Sequence, residues 1–134
     1  MADIFSTLTV QTITKVLDAT ALNQVLISNN IANVNTPGYK RSEVTFRDQL
    51  KRALSQSDVS LSRTHTSHLP IAINVSQVEP KIEIDSETVM RWDGNNVDVE
   101  REMAKLSHNS MEYNMFSTLL KRNFDGLRRV IEGR

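Results

Sequence analysis

With 134 residues the chain has room for one domain and one modest core. Its 16 basic and 16 acidic side chains cancel and aromatics make up only 5%, which argues against the charge and stacking surface of a nucleic-acid binder. Cysteine is absent, which excludes disulfides and thiolate chemistry, and no apolar run approaches the ~18 residues of a membrane span.

The N-terminus, Met1-Ala2-Asp3-Ile4, has neither a basic start nor a continuous apolar stretch, so no cleaved secretory signal is expected. From Ile4 to Val34 the chain lacks Gly and Pro and predicts a long helix. Alternate steps of four and three give Val10, Ile13, Leu17, Thr20, Gln24, Ile27, Ile31 and Val34, an apolar seam interrupted at Thr20 and Gln24. Phe5, Leu8, Leu22, Val25 and Leu26 lie off that seam, so more than one side of the helix needs cover.

The helix closes on Ser28-Asn29-Asn30-Ile31-Ala32-Asn33-Val34-Asn35-Thr36-Pro37-Gly38-Tyr39. Asparagine amides compete with the helix backbone for hydrogen bonds, and Pro37-Gly38 then stops the helix. Such a cluster points to specific amide contacts with a neighbour.

The middle is expected to be loop-rich. Phe46 to Leu54 reads as a short helix, and Ser55 to Ser67 as a mobile polar stretch. Ile71–Val75 and Lys81–Asp85 alternate with period two, as the strands of one small β-hairpin would. Asp93-Gly94 marks a turn, and Trp92 before it reads as a packing anchor. From Val99 the stripe Met103, Leu106, Ser110, Tyr113, Ser117, Leu120, Phe124, Leu127, Ile131 predicts a second long helix. Asn95, Asn96 and Asp98 are its candidate N-caps. Glu100 and Glu102 near the start and Arg128 and Arg129 near the end suit its dipole. Met103, Met111 and Met115 read as adaptable interface filler.

The fold expected is therefore mainly α: two long terminal helices paired as an antiparallel coiled coil, at 1–35 and 96–134, around a loop-rich excursion at 36–95. Apolar surface would be left over on both helices, as on a polymer subunit completed by its neighbours.

Candidate chemistry is sparse. His65 and His68 lie in a polar stretch with few acids nearby, so no metal site is expected. Glu79, Glu83 and Asp85, like Glu100 and Glu102, read as solvated faces, since nothing beside them would split their pKa values. The four glycines are scattered, which excludes a phosphate loop. Glu43 and Asp48 dilute the basic run Lys40-Arg41, Arg47, Lys51-Arg52. No catalytic residue, metal or cofactor is expected.

The Ser28–Tyr39 stretch resembles the N-terminal signature of the bacterial flagellar rod, hook and hook-associated axial proteins. The short chain, Thr66-Ser67-His68-Leu69-Pro70, Asp93–Glu102 and Asn109–Tyr113 are similar to short proximal-rod members. The resemblance implies a non-enzymatic subunit of the basal-body rod, exported without a cleaved signal through the flagellar type III apparatus into the periplasm. Its implied partners are further copies, the rod proteins FlgC, FlgF and FlgG, the rod adaptor FliE and the MS-ring. Ser28, Asn29, Asn30, Ile31, Ala32 and Asn33 would pack the helix end, and Thr36, Pro37, Gly38 and Tyr39 would set the turn. Ile13, Leu17, Ile27, Ile31, Leu106, Tyr113, Leu120, Phe124, Leu127 and Ile131 would form the assembly seam. Alternatives are the sibling proximal rod protein FlgC itself and a non-catalytic coiled-coil adaptor of the export system.

Overall fold

The computed structural model describes residues 8–57 and 75–133. In chain order it contains helix α1 (Leu8–Ala32), strand β1 (Ser42–Thr45), helix α2 (Arg47–Ser57), a 3-10 turn (Val75–Gln77), strand β2 (Lys81–Ile84) and helix α3 (Val99–Glu132). The fold is mainly α, as the sequence pattern predicts. Among the described residues no helix is long and apolar enough to cross a membrane.

Helices α1 and α3 run antiparallel: Asn30 bonds Glu102, while Thr20 and Asn23, further back along α1, bond Asn109, further on along α3. Asp98 is the N-cap of α3, its carboxylate accepting from the backbone N–H groups of Glu100 at 3.0 Å and Arg101 at 3.3 Å. Gly133 closes the helix in the left-handed conformation, φ 68°, and its N–H reaches the Arg129 carbonyl. Both ends of α3 thus have a local chemical cause.

The apolar core lies to one side of the helix pair. Ala19 of α1 meets Phe46, Leu50 and Ala53 at and along α2, with Val75 and Val78 closing over them. Phe46, Leu50 and Ala53 fall at i, i+4 and i+7, one face of a helix, so a short amphipathic helix makes a core that α1 and α3 alone do not. Burying Phe46 or Leu50 contributes about 1.5–3 kcal/mol each.

The middle segment departs from the sequence expectation in three places. Strand β2 forms at Lys81–Ile84, but it pairs antiparallel with β1, in the register Ser42 to Ile84 and Thr45 to Lys81. Val75 is not a strand residue; it starts the 3-10 turn and is 1% exposed. The rest of the expected first strand, at 71–74, lies outside the described residues. So do His65, His68 and the 66–70 motif, whereas the backbone at 55–57 completes α2. Trp92 is 100% exposed and is therefore no anchor for the excursion. The chain turns at Gly94 and the next residue, Asn95, fastens this loop instead.

Candidate assembly site

The end of α1, the start of α3 and the sheet meet in a cluster of buried amides and charges. Asn30, Asn95, Asn96, Glu102 and Asn109 are each 2% exposed or less. Burying such groups is costly unless every donor and acceptor is used. Among the described residues no buried side-chain nitrogen or oxygen lacks a partner.

Asn30 uses its whole amide. Its Nδ2 donates to the Ser42 carbonyl at 2.9 Å and to Glu102 Oε2 at 3.0 Å. Its Oδ1 accepts from the Ser42 N–H at 3.0 Å and the Tyr39 hydroxyl at 3.2 Å. The signature asparagine therefore serves its own chain, joining α1 to β1 and α3, where the sequence suggested contacts with a neighbour. Asn33 likewise donates to the Asn29 carbonyl at 2.8 Å.

Asn95 fastens the turn after α1. Its Nδ2 lies 3.1, 3.0 and 2.9 Å from the carbonyls of Asn33, Val34 and Thr36, and its Oδ1 accepts from the Val97 N–H at 2.7 Å. Gly94 (φ 83°) and Gly38 (φ 72°) make this possible, since both turns need positive φ and the two backbones pass close together. Asn96 accepts from the Arg41 N–H at 2.8 Å and donates to the Asp85 carbonyl at 2.8 Å and Thr88 Oγ1 at 2.9 Å. Both residues had the composition of N-caps, but only Asp98 caps α3.

A charge relay connects the same parts. Asp85 meets Arg41 Nη2 at 2.9 Å, Arg41 Nη1 meets Glu43 at 3.2 Å, and Glu43 pairs with Lys105. Lys105 meets Glu102 at 3.3 Å, and Glu102 returns to Asn30. Hydrogen bonds from the Thr88 hydroxyl and N–H, reinforced by Arg41, lower the Asp85 carboxyl to about 2. The hydrogen bond from Lys105 holds the Glu43 carboxyl below its ordinary value. About two turns beyond Glu102 along α3, Asn109 donates to the Thr20 carbonyl and to Gln24 Oε1, both at 2.9 Å, and accepts from Asn23 Nδ2 at 2.9 Å. Thr20 and Gln24, the two polar breaks in the α1 seam, are thus the places where α3 inserts an amide.

The other signature residues lie as follows. Ser28, Asn29, Ala32, Thr36, Pro37 and Gly38 are exposed, while Ile31, Asn33 and Tyr39 are half-buried. Of the predicted seam, Ile13 and Ile27 are buried, and Leu17, Leu106, Leu120 and Leu127 are half-buried. Tyr113, Phe124 and Ile131 are exposed, together with Met103, Met111, Met115, Leu119 and Val130. The face of α3 turned to α1 holds Glu102 and Asn109, and the exposed apolar residues are spread around the helix from Met103 to Ile131. Sequence reasoning missed the roles of Asn109, Glu102 and Lys105, whose partners are far away along the chain.

This construction is structural: it fixes register and leaves apolar surface uncovered. The family model for "Flagella basal body rod protein" matches residues 17–40, which span the later part of α1, the asparagine cluster and the turn. A protein of Borrelia hermsii named "Flagellar basal body rod protein FlgB" is 37% identical over 121 residues, covering 87% of this chain and 90% of that protein. The proteins of the same name from Bacillus subtilis and Escherichia coli K12 are 30% identical over 125 residues and 31% over 122. They cover 93% and 87% of this chain, and 94% and 87% of their own lengths.

Proposed function

The chain belongs to the FlgB family of flagellar basal body rod proteins, and from that premise we propose that α1 and α3 form its share of an inner coiled-coil layer, packed against the same helices of neighbouring subunits. It is a structural subunit of the basal body rod, and the names of its relatives do not favour the sibling FlgC. In this reading the subunit is non-enzymatic, occupies the membrane-proximal rod in the periplasm, and arrives through the type III export apparatus without losing a signal peptide. Its neighbours are further copies, FlgC, FlgF and FlgG, the adaptor FliE and the MS-ring. The domains at 1–35 and 96–134 supply the inner layer, and 36–95 leaves it at the Thr36–Tyr39 turn.

One observation carries this reading: eight large apolar residues of α3, from Met103 to Ile131, are exposed on the single chain. Uncovered apolar surface on that scale marks an interaction surface. Assembly that buries it stabilises the fold by mass action, so the free subunit is the less stable state. The test is Leu120→Asp in a motile host. Swimming and rod assembly should be lost while the variant is still exported; retained swimming would remove the seam from the mechanism.

A further inference from the structure

We infer that Trp92 of one copy seats in an apolar groove between α1, α2 and α3 of a second copy. The groove has a volume of about 640 Å³ and is lined by Val16, Val44, Phe46, Leu50, Leu54 and Phe116. That is ample room for an indole and a neighbouring side chain. Trp92 is fully exposed, with Val89 at 64% and Met90 at 60% beside it. The loop is held rather than loose: the N–H groups of Met90 and Arg91 donate to the Asn95 carbonyl at 3.2 and 3.1 Å, and the Gly38 N–H donates to the Asp93 carbonyl at 2.9 Å. A rigid aromatic presented to water loses little conformational freedom on docking, which is why such residues dominate interfaces.

Charge selects a second copy as the occupant. The segment 79–93 around Trp92 carries Glu79, Glu83, Glu87 and Asp93, besides Asp85 which is paired with Arg41, against Lys81 and Arg91. On the groove's lip are Arg47, which pairs with Glu112, and Lys51; Arg52 follows on α2, whose one acid is Asp48. Opposed fields of this kind steer encounter and fix orientation.

Geometry prevents a copy from filling its own groove. Arg91 donates to the Val34 carbonyl at 2.7 Å, so Trp92 stands at the C-terminal end of α1, whereas the groove opens at Val16, Ala19 and Thr20. The separation is roughly 24 Å at 1.5 Å per residue. Knob and hole at opposite ends let copies join head to tail, and such a heterologous contact propagates as an open helical chain wherever its rotation does not close. Copies must repeat for this contact to form, so it rests on the rod-subunit reading.

The chain has one tryptophan and no cysteine, which makes the test direct. Trp92 fluorescence of the purified chain should move to shorter wavelength as concentration rises. Lys51→Glu should oppose that shift, and Trp92→Ala should weaken association at least about 30-fold, as for an interface hot spot. In isolated basal bodies containing both Trp92→Cys and Lys51→Cys chains, oxidation should give a dimer of twice the chain mass. The pair Trp92→Cys and Thr118→Cys, with the second thiol on the exposed side of α3, should give none. An unshifted emission at every concentration, no dimer above that control, or a cross-link from Trp92→Cys to a different rod protein would each overturn the assignment. Blots for the variant chains in the same basal bodies report entry into the rod separately, so loss of this contact is distinguished from failure of the subunit reading.

Discussion

Replacing Asn30 with aspartate tests the buried amide cluster at its most exacting point. The substitution changes one NH2 for an oxygen, with no change in volume, at a residue that is 0% exposed. The new oxygen would face Glu102 Oε2 at 3.0 Å and the Ser42 carbonyl at 2.9 Å, where Asn30 now donates to both. Two carboxylates cannot both ionise there, so one must keep its proton at pH 7. Holding it about 3 units above the ordinary Asp range costs about 4 kcal/mol, at 1.36 kcal/mol per unit. A pKa raised in the folded state means that the folded form binds the extra proton, so the penalty is absent below about pH 4 and grows as pH rises. Urea unfolding followed by circular dichroism should therefore show a loss of about 4 kcal/mol at pH 7 and about 1.5 kcal/mol at pH 5. Adding Glu102→Gln removes the opposing charge and restores a donor, and should recover at least half of the loss. Asn29→Asp, one position away and exposed, should stay within about 0.5 kcal/mol of the parent. A loss under about 1 kcal/mol at pH 7, or one equal at both pH values, would show that Asn30 and Glu102 do not share a buried contact.

Two further outcomes follow from individual side chains. The Asp85 carboxyl sits at about 2, below its ordinary 3.8, so its contribution is full above 3.8 and is lost as pH falls through about 2. The Thr88 amide resonance, whose N–H donates to Asp85 Oδ1 at 3.1 Å, should titrate with a midpoint near 2; a midpoint near 3.8 would mean that the loop is not anchored. Asp98→Ala should cost about 1 kcal/mol by urea unfolding, while Asp98→Asn, which caps equally well, should cost far less. Equal losses for the two variants would transfer the effect from the cap to the charge.

How far the sequence could be read depended on the distance over which each feature is decided. The helix α3 was legible because its period and its candidate cap at Asp98 are local, while its stop at Gly133 was not read. The strand β2 was legible for the same reason, from its alternation over Lys81–Ile84. Its partner was not: neighbouring alternation at 71–75 suggested a hairpin, whereas β2 closes a long loop to pair with Ser42–Thr45. The pattern of four residues at β1 is too short to announce that choice. The asparagines show the limit more sharply. Composition pointed to amide contacts with a neighbour around Asn30 and to caps at Asn95 and Asn96, whereas the backbone partners of Asn95 and Asn96 at Asn33, Thr36 and Arg41 lie some 55 to 62 positions away. Trp92 fails for a different reason, since apolarity says that a side chain prefers burial but not in which molecule.

The division of labour between polar and apolar groups suits a part that must be correct before it is assembled. An apolar seam alone tolerates slippage by a turn, because leucines and methionines pack against one another in several registers. Buried amides do not: sliding α3 by one turn would separate Asn109 from Thr20 and Gln24 and Glu102 from Asn30 together, leaving uncompensated polar groups in both places. Register within the subunit is thus set by side chains that contribute little net stability. Much apolar surface of α3, from Met103 to Ile131, stays exposed on the single chain. If the inner groups were leucines, folding of the single chain and joining to a neighbour would draw on the same kind of contact and compete. With amides between the helices, the exposed apolar side chains of α3 are not what fixes its register on α1.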